Sequence, residues 1–292
     1  MRIIPSKYTF FFIGLLILQF FSSGPTAALE EIGGKYFESL QTRLITDGFD
    51  ENTIAELYNS PMVFFETKGV SRLLVHREDK LNYNQYATKE SIQKALKYLG
   101  KHQSEFERTE MAYNVSKEII AAIIMVESQF GTATDGPSIL NTLSTIASLA
   151  DPDVRDMFWI KVSSSSQLNR KKFEKWAGKK SKWAYHELKS FLNYTARERM
   201  DPLGINGSFA GAMGIAQFMP SSILAYAKDG DSDGRIDLFS HADSIASIAN
   251  YLNHYGWHMG IERKKAYKII HRYNHSDHYV NIILKISELL KG

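Results

Sequence analysis

The sequence contains no cysteine. Disulfide bonds, thiolate nucleophiles, zinc–thiolate centres and a lipid-modified cysteine at a new N-terminus are therefore excluded. Excess charge of one sign is also lacking, because the 292 residues carry a formal net charge of only +3. Removal of residues 1–28, which hold Arg2 and Lys7 but no acid, would leave 33 basic against 32 acidic residues. We therefore expect no nucleic-acid partner, and we interpret the short basic runs as solvated helix faces: Lys171–Lys172, Lys179–Lys180 and Arg263–Lys265.

Common nucleotide-binding motifs are also missing. The chain has no G-x-G-x-x-G and no G-K-[ST] sequence, and it shows no repeat at a fixed period. Apolar residues recur instead at helical spacing along most of the chain, without an alternation of strand and helix patterns. Asp50 is expected to cap one of these helices, whereas Met62–Val75 is a mixed stretch that the pattern allows to be extended. The sequence therefore predicts a mainly α protein.

Residues 1–28 have the layout of a secretory signal peptide. Arg2 and Lys7 precede a nearly apolar run, Phe10–Phe21, and small residues follow it as far as Ala28. The run is short for a membrane span, so cleavage is expected, with an uncleaved anchor as the alternative. The protein is therefore expected to be exported to the periplasm or cell envelope and to contact a membrane only through an uncleaved signal.

The segment Asn114–Gly131, NVSKEIIAAIIMVESQFG, predicts a buried helix. Ser116 is a candidate cap, Gly131 is a candidate stop, and the residues between them are apolar on every side. Glu127 lies in the last turn on an apolar face, where desolvation would make its carboxyl group hold a proton more tightly. A general acid needs that property near neutral pH. The alternative on this segment alone is a glutamate that points outward or pairs with a lysine.

The segment Asp201–Ser222 combines four glycines with small apolar residues. Glycine allows a backbone to approach another backbone or a ligand closely. Ser208 and Gln217 are polar residues within these small, apolar surroundings and are therefore candidate ligand contacts. The alternative is a glycine-bearing turn followed by tight helix packing.

The segment Lys228–Asp243 has the spacing of an EF-hand calcium loop. Three aspartates occupy positions 1, 3 and 5, and Gly234 occupies position 6, where the chain must turn sharply. Position 12 is Ser240 instead of glutamate, but Asp243 follows three residues later. An oxygen-only ligand set favours a hard cation such as Ca²⁺. The candidate metal ligands are Asp229, Asp231, Asp233, the backbone carbonyl of Arg235, and Asp243.

Four segments, taken in this order, resemble the lytic murein transglycosylase B family. They are VESQFG, GSFAGAMGIAQFMPSS, DGDSDGRIDLFSHADSIASIANYL and YNHSDHYV. The resemblance implies a mainly helical, lysozyme-like catalytic domain with an EF-hand-like metal loop. It also implies cleavage of the MurNAc–GlcNAc glycosidic bond of peptidoglycan without water, which leaves a 1,6-anhydro-MurNAc end.

The same resemblance implies roles for individual residues. Glu127 matches the catalytic acid and base, Ser208 and Gln217 match residues that line the sugar site, and Tyr251 matches an aromatic wall of the cleft. Tyr273 and Asn274 match a Tyr–Asn pair that approaches the glutamate. The loop carboxylates match a single structural Ca²⁺ site, and no organic cofactor is implied.

The resemblance also divides the chain into regions and exposes two departures. Residues 29–110 are expected to form an N-terminal helical region packed on a catalytic domain of residues 111–292, which includes a polar insert at 151–182. Gln129–Phe130 replaces the Arg–Trp pair that is frequent in the family. The insert lacks paired arginines that the family implies for contact with the stem peptide, so the peptide preference stays open.

Two other functions remain as alternatives to lytic transglycosylation. A hydrolytic muramidase would usually need a second carboxylate across the scissile bond. Asp135 is the nearest candidate in sequence, whereas Glu118 lies about 180° away from Glu127 on the same helix. A non-catalytic peptidoglycan-binding protein would not need a buried acid. In each case the expected partner is the glycan strand, bound by a monomer.

Overall fold

A computed structural model describes residues 34–75, 82–163 and 169–292. The predicted signal peptide, residues 1–28, lies outside the described residues. The described chain folds into thirteen α-helices with two short 3-10 helices, Tyr83–Ala87 and Pro202–Gly204. The helices are α1 Gly34–Thr46, α2 Glu51–Asn59, α3 Thr67–Val75, α4 Lys89–Lys101, α5 Gln103–Tyr113, α6 Lys117–Ser128, α7 Ile139–Ser148, α8 Pro152–Ser163, α9 Arg170–Glu198, α10 Pro220–Tyr226, α11 His241–His254, α12 Arg263–Tyr273 and α13 Asp277–Lys291. The prediction of a mainly α protein is confirmed.

Helix boundaries follow the polar residues that precede each apolar run. The Asp50 carboxylate accepts a hydrogen bond from the Thr53 N–H at 2.8 Å and caps α2 as predicted. The stretch Met62–Val75 was expected to allow an extended conformation, and that expectation is wrong for α3. Three apolar residues of α3 lie on one face of the helix and are buried in the core: Val70, Leu73 and Leu74. Their burial favours the helical conformation.

Helix α6 lies at the centre of the core. All residues from Ile119 to Ser128 are buried, which confirms that a helix apolar on every side is an interior helix. Helix α13 packs along α6, while α7 packs against the long helix α9. Deleting most of one such side chain, for example by Ile123→Ala, typically costs about 2–5 kcal/mol. This packing holds the last turn of α6 in a fixed position.

The ends of α6 differ from the sequence expectation. Ser116 occupies the N-cap position, but its side chain makes no capping hydrogen bond. The helix ends at Ser128, and three consecutive residues then adopt positive φ: Gln129, Phe130 and Gly131. Gln129 and Phe130 are not glycine, so this left-handed turn carries a conformational cost. The turn directly follows Glu127 and reverses the chain beside it.

The predicted insert, residues 151–182, contains α8 and the first half of α9. Phe158 of α8 and Phe173 of α9 are fully buried, with ring centroids 6.1 Å apart. Their burial joins this segment to the main core. Residues 164–168 of the insert lie outside the described residues. None of the helices in the described ranges is both long enough and apolar enough to cross a membrane.

Candidate active site

Glu127 is buried at the C-terminal end of α6, with 2% of its surface exposed. Its Oε1 accepts a hydrogen bond of 2.5 Å from the hydroxyl of Tyr279, in the first turn of α13. Ser276 caps α13 by accepting a hydrogen bond from the Tyr279 N–H, so the tyrosine has a defined backbone position. The glutamate points into the protein rather than outward from the helix end, and its carboxyl orientation is fixed by a partner from another helix.

The charge of Glu127 affects the pKa of three tyrosines. Burial raises the pKa of Tyr279 and Tyr273 well above the usual value, and the Glu127 carboxylate raises both further. Burial also raises the pKa of Tyr86, again with a contribution from Glu127. The Glu127 carboxylate is therefore close enough to all three tyrosine hydroxyls to affect their ionisation.

The Tyr273–Asn274 pair meets the glycine-rich segment through one buried hydrogen bond. The hydroxyl of Tyr273 donates to the carbonyl of Ala216 at 2.6 Å. The ring of Tyr273 lies parallel to that of Tyr279, with centroids 6.5 Å apart. The end of α12, the start of α13 and the residue before Gln217 therefore converge near Glu127.

Gln217 and Asn274 each carry a buried polar atom without a hydrogen-bond partner in the described structure. These atoms are Gln217 Oε1, an acceptor, and Asn274 Nδ2, a donor. The Gln217 Nε2 donates to the carbonyl of Gly214 at 2.7 Å, and Gln217 itself has a positive φ of 49°. A buried polar group without a partner costs about 1–3 kcal/mol. Each such atom requires a partner, such as a water molecule or a polar ligand.

Ser208 is held rigidly by the turn that follows it. Its Oγ accepts hydrogen bonds from the backbone N–H groups of Ala210 and Ala212, at 3.3 and 3.0 Å. A hydroxyl that accepts two hydrogen bonds can still donate its proton. Gly214, further along, has φ 73°, and a Cβ there would lie 2.4 Å from the carbonyl oxygen of Leu238. Glycine at this position lets the segment pack directly on the backbone of the metal loop.

Tyr251 lies in the same aromatic cluster as Tyr273. Its ring packs edge-on against Tyr273, with centroids 5.1 Å apart, and against Phe218 at 5.8 Å. None of the side chains that the sequence indicated for the sugar site is more than 2% exposed: Glu127, Ser208, Gln217, Tyr251, Tyr273 and Asn274. This arrangement keeps most bulk water away from the acid.

A cavity of about 450 Å³ opens beside the last turn of α6. Gln129 and Phe130, which follow the glutamate, line this cavity together with Met125 of α6. Gln85 and Tyr86, from the 3-10 helix Tyr83–Ala87, also line this cavity. The N-terminal region therefore contributes residues directly to the surroundings of Glu127.

The predicted metal loop brings three carboxylates together. Single oxygens of Asp229, Asp231 and Asp243 all lie within 4.8 Å of one another, and no other such group of acids and histidines occurs in the described ranges. Asp233 lies outside this group, and its Oδ1 instead accepts a hydrogen bond from the Arg235 N–H at 2.8 Å. A hard cation fits this donor set, because every converging group is a carboxylate oxygen.

Asp243 is the buried member of the three. Burial raises its pKa to about 6, and the charges of Asp231 and Asp229 contribute, against hydrogen bonds from the backbone of Gly230 and Asp237. Its two oxygens accept those bonds at 2.8 and 2.7 Å. Asp243, which follows position 12 of the loop by three residues, therefore lies beside Asp229 and Asp231, as the sequence predicted.

Sequence reasoning missed Tyr279, Tyr86 and Glu187. Tyr279 lies within the segment YNHSDHYV, so its place close to the Tyr–Asn pair was an available signal. Glu187 of α9 is fully buried, and its two oxygens accept hydrogen bonds from the N–H and hydroxyl of Ser221, at 2.9 and 2.8 Å. Burial raises the pKa of Glu187 to about 7, against those two bonds.

Comparison with known proteins relates the chain to one family. Residues 34–266 match the family model described as the transglycosylase SLT domain. The chain is 34% identical, over 175 residues, to membrane-bound lytic murein transglycosylase B of Escherichia coli (strain K12). That match covers 60% of this chain and 41% of the relative, so the chain spans less than half the length of this relative.

Two solved structures have the same fold. The soluble lytic transglycosylase SltB1 from Pseudomonas aeruginosa superimposes with a TM-score of 0.69 at 23% identity, covering 88% of this chain and 97% of that one. The Escherichia coli lytic transglycosylase Slt35, in complex with calcium, gives a TM-score of 0.70 at 22% identity, covering 92% of this chain and 98% of that one. The predicted mainly α, lysozyme-like fold is confirmed.

Proposed function

The chain belongs to the transglycosylase SLT domain family, and we propose that it is a peptidoglycan lytic transglycosylase. It would cleave the MurNAc–GlcNAc glycosidic bond without water and leave a 1,6-anhydro-MurNAc end. One observation carries this proposal: Glu127 is a buried acid, held by the Tyr279 hydroxyl, among site residues that are almost completely shielded from water. The likeness to transglycosylase B of Escherichia coli supports it.

In the proposed reaction, Glu127 first acts as the general acid. Its carboxyl proton passes to the glycosidic oxygen as the bond to C1 of MurNAc breaks, and the leaving sugar departs as an alcohol. Burial disfavours the ionised carboxylate before this step, whereas the Tyr279 hydrogen bond stabilises it afterwards. These opposing effects suit a group that must both give and take a proton.

The carboxylate then acts as the general base. The N-acetyl group at C2 assists at C1 from within the substrate, and Ser208 orients it by donating its hydroxyl proton. Glu127 takes the proton of the C6 hydroxyl, and that oxygen bonds to C1, which closes the 1,6-anhydro ring. No water is consumed, and the carboxyl group regains its proton. One carboxylate is sufficient, in contrast to the two that most glycosidases use.

The remaining site residues would bind and position the sugar. Gln217 Oε1 and Asn274 Nδ2 are a buried acceptor and donor that the polar groups of a sugar can satisfy. Tyr273 links the two segments through its bond to Ala216, and Tyr251 supports the ring of Tyr273. Exclusion of water around these groups favours ring closure over hydrolysis.

The test of the function is incubation of the protein with purified sacculi, followed by mass spectrometry of the released muropeptides. Anhydro-MurNAc ends are the expected result. Reducing MurNAc ends would instead identify a hydrolytic muramidase, with Asp135 as the first residue to examine as the second carboxylate. An absence of any released product would favour a non-catalytic wall-binding protein.

The loop Asp229–Asp243 is proposed to bind one structural Ca²⁺. Convergence of three carboxylates supports this, as does the solved structure of Slt35 of Escherichia coli in complex with calcium. Asp229, Asp231 and Asp243 would hold the ion, with Asp233 and the Arg235 carbonyl as further ligands. The bound ion would neutralise the buried Asp243 and fix the backbone on which Gly214 packs.

Export and the domain division complete the proposal. Residues 1–28 would direct the chain out of the cytoplasm and into the compartment that contains its peptidoglycan substrate. Cell fractionation that places the full-length chain in the cytosol would contradict export.

Residues 29–110 would form a helical region on the catalytic domain, residues 111–292. Tyr86 and Gln85 at the cavity beside Glu127 support the packing of these two regions into one functional unit.

A further inference from the structure

Exposed lysines form a stripe along the first half of α9. Lys171, Lys175, Lys179 and Lys182 are all exposed. At about 100° per residue, these positions fall within an arc of roughly 80° on one face of the helix. They extend over about 16 Å along its axis. The sequence suggested two separate basic runs in this segment, whereas the continuous helix places one lysine of each, Lys171 and Lys179, in a single row with Lys175 and Lys182.

The positive charge of this stripe is not balanced by acids of the same helix segment. Glu174 is the only acidic residue between Arg170 and Tyr185. It lies outside the arc, and its carboxylate forms ion pairs with Arg155 and Arg170 at 2.9 and 2.5 Å. The charge of Lys179 also adds to the burial that lowers the pKa of Lys180 to about 8. The stripe is therefore a local concentration of positive charge on a nearly neutral protein.

The lysine arc itself contains no large apolar side chain, and the two tryptophans beside it, Trp176 and Trp183, are only partly exposed. Large apolar side chains are exposed at several places in the described chain, but none of them lies in α9. Proteins that bind at a lipid surface usually combine basic residues with apolar side chains that enter the bilayer. A row of lysines without such side chains suits a hydrated polymer that carries repeated negative charges.

We propose that this lysine stripe binds the carboxylate groups of peptidoglycan stem peptides on a strand adjacent to the one being cleaved. The identity of the partner rests on the proposed function, and the charge complementarity rests on the stripe itself. Helix α9 is a continuous helix of 29 residues and carries, through Glu187, the contact to Ser221 at the start of α10. A strand held by the stripe would therefore keep a fixed distance from the cleft and raise the local concentration of substrate.

The test compares two matched variants in a Glu127→Gln background, which leaves the wall intact. One variant combines Lys171→Gln, Lys175→Gln and Lys182→Gln, and the other combines Lys264→Gln, Lys265→Gln and Lys268→Gln on α12. Each replaces three exposed helical lysines and changes the net charge equally. Binding to purified sacculi is measured by sedimentation, and melting temperatures check that both variants are folded.

The stripe variant is expected to bind sacculi on the order of tenfold more weakly at low salt, because exposed ion pairs contribute modestly but additively. The α12 variant is expected to bind like the parent. The difference should disappear at about 1 M salt, where the screening length falls to roughly 3 Å. It should also disappear with sacculi whose carboxyl groups have been converted to amides.

Several results would overturn the inference. Equal losses in both variants would mean that only net charge matters, and an unchanged difference on amidated sacculi would exclude carboxylates as the ligand. If the stripe variant bound sacculi normally but lost binding to anionic phospholipid vesicles, the partner would be a membrane. Failure of the proposed function is distinguishable, because it would appear as an absence of anhydro products from the unmodified protein.

Discussion

The Tyr279 hydroxyl donates a 2.5 Å hydrogen bond to Oε1 of Glu127, although 152 positions separate the two residues in sequence. Helix α13 packs along α6 and makes this contact possible. Hydrogen bonds to an ionised group are roughly twice as strong as neutral ones. The contact therefore favours the ionised form of an acid whose burial favours the neutral form, and the reaction requires both forms.

Glu127→Gln is expected to lower turnover by about 10²–10⁴-fold, since proton transfer by a positioned group contributes that much. Glutamine keeps the shape of the side chain and can accept the Tyr279 hydrogen bond, so binding to sacculi should persist. The measurement is the rate of anhydro-muropeptide release. Glu118→Gln, in the first turn of the same helix, is the matched control and should retain activity. A Glu127→Gln protein with near-normal turnover would remove this residue from the mechanism.

Tyr279→Phe should reduce turnover by roughly tenfold to a hundredfold, because a hydrogen bond to a charged group is worth about 1.5–3 kcal/mol. The ring remains, so packing against Tyr273 is preserved. Without the hydroxyl, ionised Glu127 is less stable, and the limb of the pH–rate profile that reports its ionisation should move to higher pH.

Tyr58→Phe is the control for Tyr279→Phe. It removes another buried tyrosine hydroxyl, which forms a 2.7 Å hydrogen bond with Ser144. Both variants should lose stability, but only Tyr279→Phe should change the pH–rate profile. If the two profiles moved together, Tyr279 would have a structural role only.

The sequence predicted the local features of the site better than its long-range contacts. Apolar surroundings on every side of α6 predicted the burial of Glu127, and the spacing of Asp229 and Asp231 with Asp243 predicted their convergence. These features depend on periodicity within one element or one loop. The contact of Tyr279 with Glu127 and the position of Tyr86 at the cavity depend on how distant helices pack. No local sequence pattern contains that information. The extended expectation for Met62–Val75 failed because tertiary burial decided the conformation.

Excess Ca²⁺ is expected to stabilise the folded protein by about 1–3 kcal/mol, if the affinity resembles that of weak extracellular modules at about 10⁻⁴–10⁻³ M. The stabilisation arises because only the folded state brings the three carboxylates together. Melting temperatures in Ca²⁺ and in chelator measure the effect. Asp243→Asn should abolish the difference, whereas Asp135→Asn, at an exposed position outside the loop, should preserve it. Equal melting temperatures for the unmodified protein in both conditions would contradict a calcium site.

Glu187 is expected to make the folding stability depend on pH. Its pKa is about 7 in the folded state, above the ordinary value of 4.5. Between these pH values the folded protein holds a proton that the unfolded chain has released. The free energy of unfolding therefore falls as the pH rises through this window, by up to about 3 kcal/mol for this group alone.

Glu187→Gln should remove this dependence, because glutamine can keep both contacts with Ser221 without a titratable group. The variant should be more stable than the parent above pH 7 and close to it near pH 4.5. Denaturant unfolding at the two pH values measures the difference, and Glu38→Gln at an exposed site in α1 is the control. A parallel fall in stability for the parent and Glu187→Gln would show that other groups carry the pH dependence.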